Sequence, residues 1–352
     1  MDSIKMIKEL TCAFGAPGFE EDVLEVAKRY VPSGYKTTRD SLLNFYIESE
    51  NAKNPNLPTL LLDAHSDEIG LMVQAVKNDG TLVFTTLGAW VPAALYAQRV
   101  LIKNRDGKQI TGVIASKMPH FGGNKDTLPS IDKMVIDIGA ASKDEVINDF
   151  KIGPGCPITP KSEFEQIGDT MIAKAFDDRI GCAAVLEVMQ KLSGSALGVN
   201  VVGALSSQEE VGLRGAKVVA NYVKPDIAIC FEGAPADDTL VEPHMIQTAM
   251  GKGPMIRLMD VSMIVNPRFF RLCVDIAKKH KIPVQEAVRT GGGTNGAVYH
   301  LSGIGVPAIV ISCPVRYAHS HNSMASVKDY ENTVVLAVEI AKALTAEIIA
   351  QF

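Results

Sequence analysis

The sequence changes character between about residues 70 and 160, and this change most restricts the possible fold. On both sides of that stretch, short apolar runs typical of buried strands alternate with helix-length segments. Inside it, brief alternating segments are separated by turns, with hairpin signals in Asn-Asp-Gly at 78–80 and Asn-Arg-Asp-Gly at 104–107. The pattern predicts an α/β domain with a mostly parallel sheet and flanking helices, interrupted by a small all-β insertion. We assign 1–67 and 161–352 to the α/β domain and 68–160 to the insertion.

Several elements of the α/β domain can be located individually. The first thirty residues predict two helices with a break at Gly-Ala-Pro-Gly (15–18). Predicted strands are 59–64, 198–205, 226–231 and 306–312, and predicted later helices are 178–192, 213–222, 267–280 and 327–349.

Composition narrows the class of protein. Of the 352 residues, 47% are hydrophobic, which is enough for a buried core. The net charge is -5 without basic runs, so neither nucleic acid nor a membrane surface is an expected partner. We also expect no membrane-spanning segment and no secretory signal. Because the six cysteines are scattered singly, they suit reduced thiols, and these features together predict a soluble cytoplasmic protein.

Polar residues follow the predicted strands at the points where the strands end. Because the carboxyl ends of parallel strands meet at one edge of a sheet, we expect these residues to converge there. They are His65, Ser66, Asp67 and Glu68 after the first strand, Gln208, Glu209 and Glu210 after the second, Glu232 after the third, His319 after the fourth, and Asp177 and Asp178 before a helix.

Histidine and carboxylate groups without a thiolate form a ligand set suited to Zn²⁺, Co²⁺ or Mn²⁺. The four strand ends and the helix start together offer at least five groups of this kind. Five ligands exceed what one catalytic zinc with an open position uses, but they suffice for two ions that share a bridging carboxylate. Taken singly, each motif has a plainer interpretation, as a surface His–Asp pair, a solvated glutamate pair or an Asp helix cap. Their joint occurrence at strand ends favours a metal site.

Four motifs occur in the order His-Ser-Asp-Glu-Ile-Gly (65–70), Phe-Asp-Asp-Arg-Ile-Gly (176–181), Gln-Glu-Glu-Val-Gly-Leu-Arg-Gly-Ala (208–216) and Arg-Tyr-Ala-His-Ser (316–320). Together they resemble the M42 metallo-aminopeptidases, the family of glutamyl and tetrahedral (TET) aminopeptidases, some of which have been misnamed endoglucanase or cellulase M. The similarity extends over nearly the whole chain, including the insertion. It implies a zinc-peptidase-like catalytic α/β domain and a barrel-like insertion that mediates subunit association.

The resemblance implies two divalent metal ions per subunit, Zn²⁺ or Co²⁺, with Mn²⁺ as a further candidate. His65 and Glu232 would bind one ion, Glu210 and His319 would bind the other, and Asp177 would bridge both.

The resemblance also implies the catalytic groups. Glu209 would be the general base that takes a proton from the attacking water and passes it to the leaving amine. Asp67 would orient the imidazole of His65. The glycine-rich stretch 291–296 is similar to a family loop, and Gly293 and Thr294 are the expected substrate contacts.

Three positions depart from the family pattern. Glu232 stands where the family often has Asp, a change that should alter only the reach of the ligand. After Ser320 the family commonly continues Pro-Val-Glu, whereas this chain has His321-Asn322-Ser323, and His321 competes with His319 as a ligand, although the Arg-Tyr-x-His-Ser frame favours His319. Asn295 replaces an Asp of the glycine-rich loop, which puts a charge-based role there in doubt.

The implied function is hydrolysis of the N-terminal residue of short peptides, with water activated by two metals and a glutamate general base. A homo-oligomer, a tetrahedral dodecamer in TET members, is the implied assembly. A related dinuclear amidohydrolase or deacylase acting on N-acyl substrates is the alternative, and a non-catalytic protein with a decayed site is a third interpretation. The sequence does not predict which N-terminal residue is preferred.

Overall fold

The structure is a computed structural model that describes residues 2–51, 53–123 and 127–352. Its strands, in chain order, are β1 (Tyr35–Arg39), β2 (Phe45–Ser49), β3 (Thr59–His65), β4 (Gly70–Val76), β5 (Leu82–Leu87), β6 (Arg99–Lys103), β7 (Gln109–Ala115), β8 (Val135–Asp137), β9 (Pro157–Pro160), β10 (Glu165–Ile167), β11 (Thr170–Ala173), β12 (Asn200–Ser206), β13 (Ile227–Pro235), β14 (Met255–Met259), β15 (Gln285–Val288), β16 (Ala308–Arg316) and β17 (Ser323–Ser326). Its α-helices are α1 (Ser3–Cys12), α2 (Glu21–Lys28), α3 (Pro92–Leu95), α4 (Lys143–Asn148), α5 (Phe176–Leu192), α6 (Arg214–Val223), α7 (Pro267–His280), α8 (Gly296–Tyr299), α9 (Val327–Ala343) and α10 (Ala346–Ile349).

Eleven strands of the described residues form one sheet, in the order β1-β2-β12-β3-β13-β16-β17-β11-β10, with β14 paired to β16 and β15 to β14. Its centre is parallel, because the four strands β12, β3, β13 and β16 pair in parallel with one another. Antiparallel strands extend this centre on both sides. The predicted α/β class is confirmed, and the sheet is mixed.

The core of the α/β domain lies between this sheet and its helices. Strands β3, β13 and β16 are buried along almost their whole length, as expected for central strands covered on both faces. Helix α5 is also largely buried and packs against β3 and β13. The start of this helix is thereby fixed next to the ends of the central strands.

The insertion is a closed six-stranded barrel in the order β4-β5-β8-β7-β6-β9. Its interior is filled by apolar side chains, among them Leu71, Phe84, Ile102, Ile136 and Ile158. Both predicted hairpins are confirmed, because β4 pairs with β5 and β6 pairs with β7 in antiparallel register. The predicted all-β insertion is therefore confirmed.

Several predicted elements end at other residues than expected, among them β16, which continues to Arg316 instead of ending at 312. Helix α9 stops at Ala343, since Leu344 is extended and fully buried, and the Thr345 side chain then caps α10. Strand β13 continues to Pro235, so Glu232 lies within the strand instead of after it. No helix of the described residues has the length and apolar composition needed to cross a membrane.

Candidate metal centre

Four consecutive strands of the sheet, β12, β3, β13 and β16, bring the predicted site residues to one edge. These residues are His65 at the end of β3, Glu209 and Glu210 beyond β12, Glu232 within β13, His319 beyond β16, and Asp177 in the first turn of α5. Gly233 allows the close approach of β13 to α5, because a Cβ at this position would lie 2.7 Å from the Asp177 Cα atom.

Asp177 lies between two histidines. The Nε2 atom of His65 is 3.0 Å from Asp177 Oδ1, and the Nε2 atom of His319 is 3.2 Å from Asp177 Oδ2. Each histidine also faces a second carboxylate: His65 Nε2 is 3.7 Å from Glu232 Oε1, and His319 Nε2 is 3.4 Å from Glu210 Oε1. The five residues thus form two groups that share the Asp177 carboxylate.

His65 and His319 each direct the same ring nitrogen, Nδ1, at a backbone carbonyl oxygen. His65 Nδ1 lies 3.2 Å from the Asp67 carbonyl oxygen, and His319 Nδ1 lies 3.2 Å from the Ala89 carbonyl oxygen. Because a carbonyl oxygen can only accept, each Nδ1 donates a hydrogen, and Nε2 of the neutral ring keeps its lone pair. This is how histidines that bind metals are usually oriented.

The donor set fits divalent cations. One donor atom from each of His65, Asp177 and Glu210 lies within 4.8 Å of the other two. Glu210 Oε1 is buried and has no hydrogen-bond partner among the described residues. Buried carboxylates facing imidazole nitrogens provide the oxygen and nitrogen ligands that Zn²⁺ and Co²⁺ prefer.

The electrostatics of the site favour positive charge. Burial raises the pKa of Glu232 to about 7 and also raises the pKa of Glu210. Burial opposes the charged form of Asp177 as well, but contacts with His319 and His65 hold its pKa well below the usual value. For His319, burial lowers the pKa, yet Asp177 and Glu210 raise it to about 11. Crowded carboxylates of this kind require neutralisation by protons or by metal cations.

The Glu209 carboxylate differs from its neighbours because it forms no hydrogen bond or ion pair with any described residue. Burial raises its pKa well above the ordinary value. Its position is fixed through the backbone, since Glu209 N–H donates to Asp67 Oδ1 (2.9 Å) and Glu210 N–H donates to Asp67 Oδ2 (3.1 Å). Asp67 therefore contacts His65, Glu209 and Glu210 at once.

His321 is directed away from this cluster. Its Nε2 atom donates to the carbonyl oxygen of Arg99 in the barrel (2.9 Å). Burial lowers the pKa of His321 to about 4, so its ring is neutral.

The glycine-rich loop has mixed exposure. Gly293 is exposed, whereas Thr294 is fully buried and its Oγ1 atom has no hydrogen-bond partner within the described chain. Asn295 is buried too, and its Nδ2 donates to Asp63 Oδ2 (2.9 Å) and to Ser206 Oγ (2.7 Å). Asn295, which departs from the family pattern, therefore contacts the Asp63 carboxylate inside the domain. Substrate contact by Gly293 and Thr294 stays a prediction.

A family model described as M42 glutamyl aminopeptidase matches residues 44–336 of the chain. The chain belongs to the M42 peptidase family. The glutamyl aminopeptidase of Lactococcus lactis subsp. cremoris (strain MG1363) is 32% identical to this M42 chain over 357 residues, which cover 100% of the chain and 99% of that relative. Family and relatives together establish an aminopeptidase.

Solved M42-like structures resemble this chain over nearly its whole length. The TET aminopeptidase from the marine sediment archaeon Thaumarchaeota archaeon SCGC AB-539-E09 superposes with a TM-score of 0.94 at 36% identity and covers 99% of both chains. The TET1 peptidase of Pyrococcus horikoshii, described as assembling into a tetrahedron or a large octahedral shell, gives a TM-score of 0.87 at 29% identity, covering 97% of this chain and 100% of that one.

Sequence reasoning missed Glu20 of this M42 chain. Glu20 is fully buried, and its Oε1 atom accepts hydrogen bonds from Gly18 N–H (2.8 Å) and Gln208 N–H (3.2 Å). It thus joins the N-terminal segment to the loop that carries Glu209. The only sequence signal was a run of acidic residues at 20–22, which is typical of an ordinary helix start.

A buried charge cluster next to the site was also missed. Glu68 Oε1 forms an ion pair with Lys174 Nζ and lies 3.4 Å from Arg179 Nη2. Lys174 and Arg179 in addition donate to backbone carbonyl oxygens of the N-terminal segment, including that of Ala13. The cluster fixes that segment against the start of α5.

Proposed function

We propose that this aminopeptidase is a dinuclear metalloenzyme that removes the N-terminal residue from short peptides. In this proposal His65 and Glu232 would hold one ion, His319 and Glu210 would hold the other, and Asp177 would be shared by both. The observation that carries the proposal is the position of Asp177, whose two carboxylate oxygens face two different imidazole nitrogens at 3.0 and 3.2 Å.

Two divalent ions, Zn²⁺ or Co²⁺ with Mn²⁺ as a further candidate, would supply Lewis acidity when bound. The protein side chains transfer the proton from the attacking water to the leaving amine. Glu209 is suited to this because its carboxylate is free of hydrogen bonds with described residues and burial raises its pKa. It takes a proton from the attacking water as the new C–O bond forms, and it gives that proton to the amine nitrogen as the C–N bond breaks.

Asp67 serves as the orienting residue of the mechanism. Its carboxylate accepts from the backbone N–H groups of Glu209 and Glu210, and its carbonyl oxygen accepts from His65. One residue thereby orients the base and a ligand to each ion. We further propose that Gly293 and Thr294 contact the substrate through the loop that contains them.

The inserted barrel, residues 68–160, is proposed to mediate homo-oligomerisation, with the tetrahedral dodecamer of TET relatives as the expected assembly. Support comes from large apolar side chains that the barrel exposes, among them Phe121, Val91 and Leu128. Size-exclusion chromatography with light scattering tests the assembly, and a monomer at micromolar concentration would rule it out.

A cytoplasmic location is proposed because none of the six cysteines forms a disulfide.

The decisive experiment compares one short peptide with a free N-terminus and the same peptide acetylated. The protein is stripped of metal with a chelator and reconstituted with Co²⁺ or Zn²⁺. We expect cleavage of the free peptide only, and only after metal is restored. Cleavage of the acetylated peptide would assign the chain to the deacylases instead, and cleavage without metal would refute the dinuclear mechanism. If neither peptide is cleaved, the decayed-site interpretation becomes the leading one.

A further inference from the structure

A short loop of the inserted barrel lies directly against the candidate metal centre. It comprises residues 88–90, between β5 and α3, and we call it the barrel loop. Gly88 has a φ of 91°, and a Cβ at this position would lie 2.7 Å from Ile69 Cγ2 and 3.4 Å from Glu210 Cβ. A side chain at residue 88 would therefore be crowded, because the loop passes close to Ile69 and to Glu210, a proposed ligand.

The next residue of the barrel loop contacts a second proposed ligand. The carbonyl oxygen of Ala89 accepts the Nδ1 hydrogen of His319 at 3.2 Å. Without this acceptor the imidazole is free to rotate or to exchange its tautomer, and either change removes the Nε2 lone pair from the position facing Asp177 and Glu210.

Trp90 anchors the barrel loop. Its indole Nε1–H donates to the Gly70 carbonyl oxygen at 2.9 Å, and its ring centroid lies 6.0 Å from that of His321. His321 in turn donates to Arg99 of β6. The segment that carries His319 is therefore held by the barrel at two points, through Ala89 and through Arg99.

The backbone conformation of the segment that carries His319 explains why it needs contacts with the barrel. Tyr317 and His319 have φ values of 57° and 58°, in the left-handed region that non-glycine residues rarely adopt. Such a backbone persists only when its surroundings fix it. The contacts with the barrel supply part of that fixation, because the segment otherwise leaves the sheet at the end of β16.

We propose that the barrel loop is a positioning element for His319, so that the inserted barrel sets the metal affinity of the position formed by His319 and Glu210. The inference rests on the proposed function, in which these two residues bind one of two ions. His65 provides the contrast. Its Nδ1 donates to Asp67 within its own segment, so the position formed by His65 and Glu232 does not depend on the barrel loop in this way.

The test is a calorimetric titration of Co²⁺ into the metal-free full-length protein, with Trp90→Ala as the main variant. We expect one of the two binding events to weaken by about tenfold to hundredfold, the range seen when a group that orients a ligand is removed, and the other to remain unchanged. Thr85→Ala is the matched control, because Thr85 lies on β5, which leads into the barrel loop, and its side chain is exposed. It should leave both binding events unchanged.

Trp90→Phe guards against a variant that fails to fold. It keeps an aromatic ring beside His321 and removes only the N–H that donates to Gly70, so it should weaken the same binding event to a smaller extent. Thermal unfolding of each metal-free variant reports whether the fold is intact.

Each outcome bears on a different claim. If the unmodified protein binds fewer than two Co²⁺ ions, the proposed function itself is wrong. If the unmodified protein binds two and the Trp90 variants bind both with unchanged affinity, the positioning role is refuted. Equal weakening of both binding events would also refute it, since that is the result of a general loss of stability.

Discussion

The Asp67 carboxylate holds the backbone of Glu209, because Asp67 Oδ1 accepts the Glu209 N–H at 2.9 Å. The other oxygen accepts the Glu210 N–H, and the Asp67 carbonyl oxygen accepts from His65. The proposed base and a proposed ligand of each ion are therefore positioned by one fully buried residue. Changes at Asp67 and at Glu209 should for this reason have different signatures.

Glu209→Gln should keep both metals and lose turnover. The amide is close in size to the carboxylate but cannot accept the proton, so we expect kcat to fall by about 10²- to 10⁴-fold. Metal content measured by elemental analysis should stay at two ions per chain. The exposed Glu25→Gln on helix α2 is the control. Near-normal turnover by Glu209→Gln would show that another group is the base.

Asp67→Asn should instead impair metal binding and turnover together. Glu209 N–H and Glu210 N–H donate to different oxygens of Asp67, and Asn puts an NH₂ donor in place of one of them, so one of the two backbone N–H groups loses its acceptor. We expect the Co²⁺ concentration needed for half-maximal activity to rise by about tenfold or more. An unchanged metal requirement with lowered kcat would assign Asp67 to the chemical step alone.

His65→Ala should weaken metal binding before it affects anything else. The substitution removes a nitrogen donor from a group in which Asp177 and Glu232 are its neighbours. Dialysis against a weak chelator should leave less metal on the variant than on the unmodified protein. His244→Ala, at an exposed histidine, serves as the control. If the metal stoichiometry of His65→Ala is unchanged, His65 is not a ligand.

The sequence predicts the fold class and the candidate site for the same reason. Apolar runs locate the central strands, and the side chains that follow those runs must meet at one edge of a parallel sheet. His65, Glu209 and Glu210 were found in this way. Glu232 was found by the same argument although β13 continues past it, because its neighbour Gly233 keeps the strand close to Asp177.

Contacts between the barrel and the α/β domain could not be predicted. His319 depends on the carbonyl oxygen of Ala89, 230 positions away in the chain, and a backbone oxygen leaves no mark in the sequence. His321 illustrates the converse problem. Its residue type suits a ligand, but its direction is set by Arg99 on the barrel, which only the three-dimensional arrangement reveals.

Glu20 leads to a prediction about pH. Burial raises the pKa of this carboxyl to about 8, with a further rise from the nearby Asp67 charge, against about 4.3 in an unfolded chain. The folded state therefore binds a proton more tightly than the unfolded state. The stabilisation from this proton is fully present below about pH 4.3 and is lost as the pH rises to about 8, with a slope of at most about 1.4 kcal/mol per pH unit.

Glu20→Gln should remove that dependence, because the amide does not titrate and can still accept from Gln208 N–H and Gly18 N–H. We expect the urea midpoint of the metal-free variant, relative to the unmodified protein, to rise between pH 5 and about pH 8 and to level off above it. Metal-free protein is used so that metal release does not contribute. Glu21→Gln, at the exposed neighbouring carboxylate, should give a constant difference over the same range. A constant difference for Glu20→Gln as well would mean that Glu20 remains ionised throughout, so that its burial is compensated by the two backbone N–H groups alone.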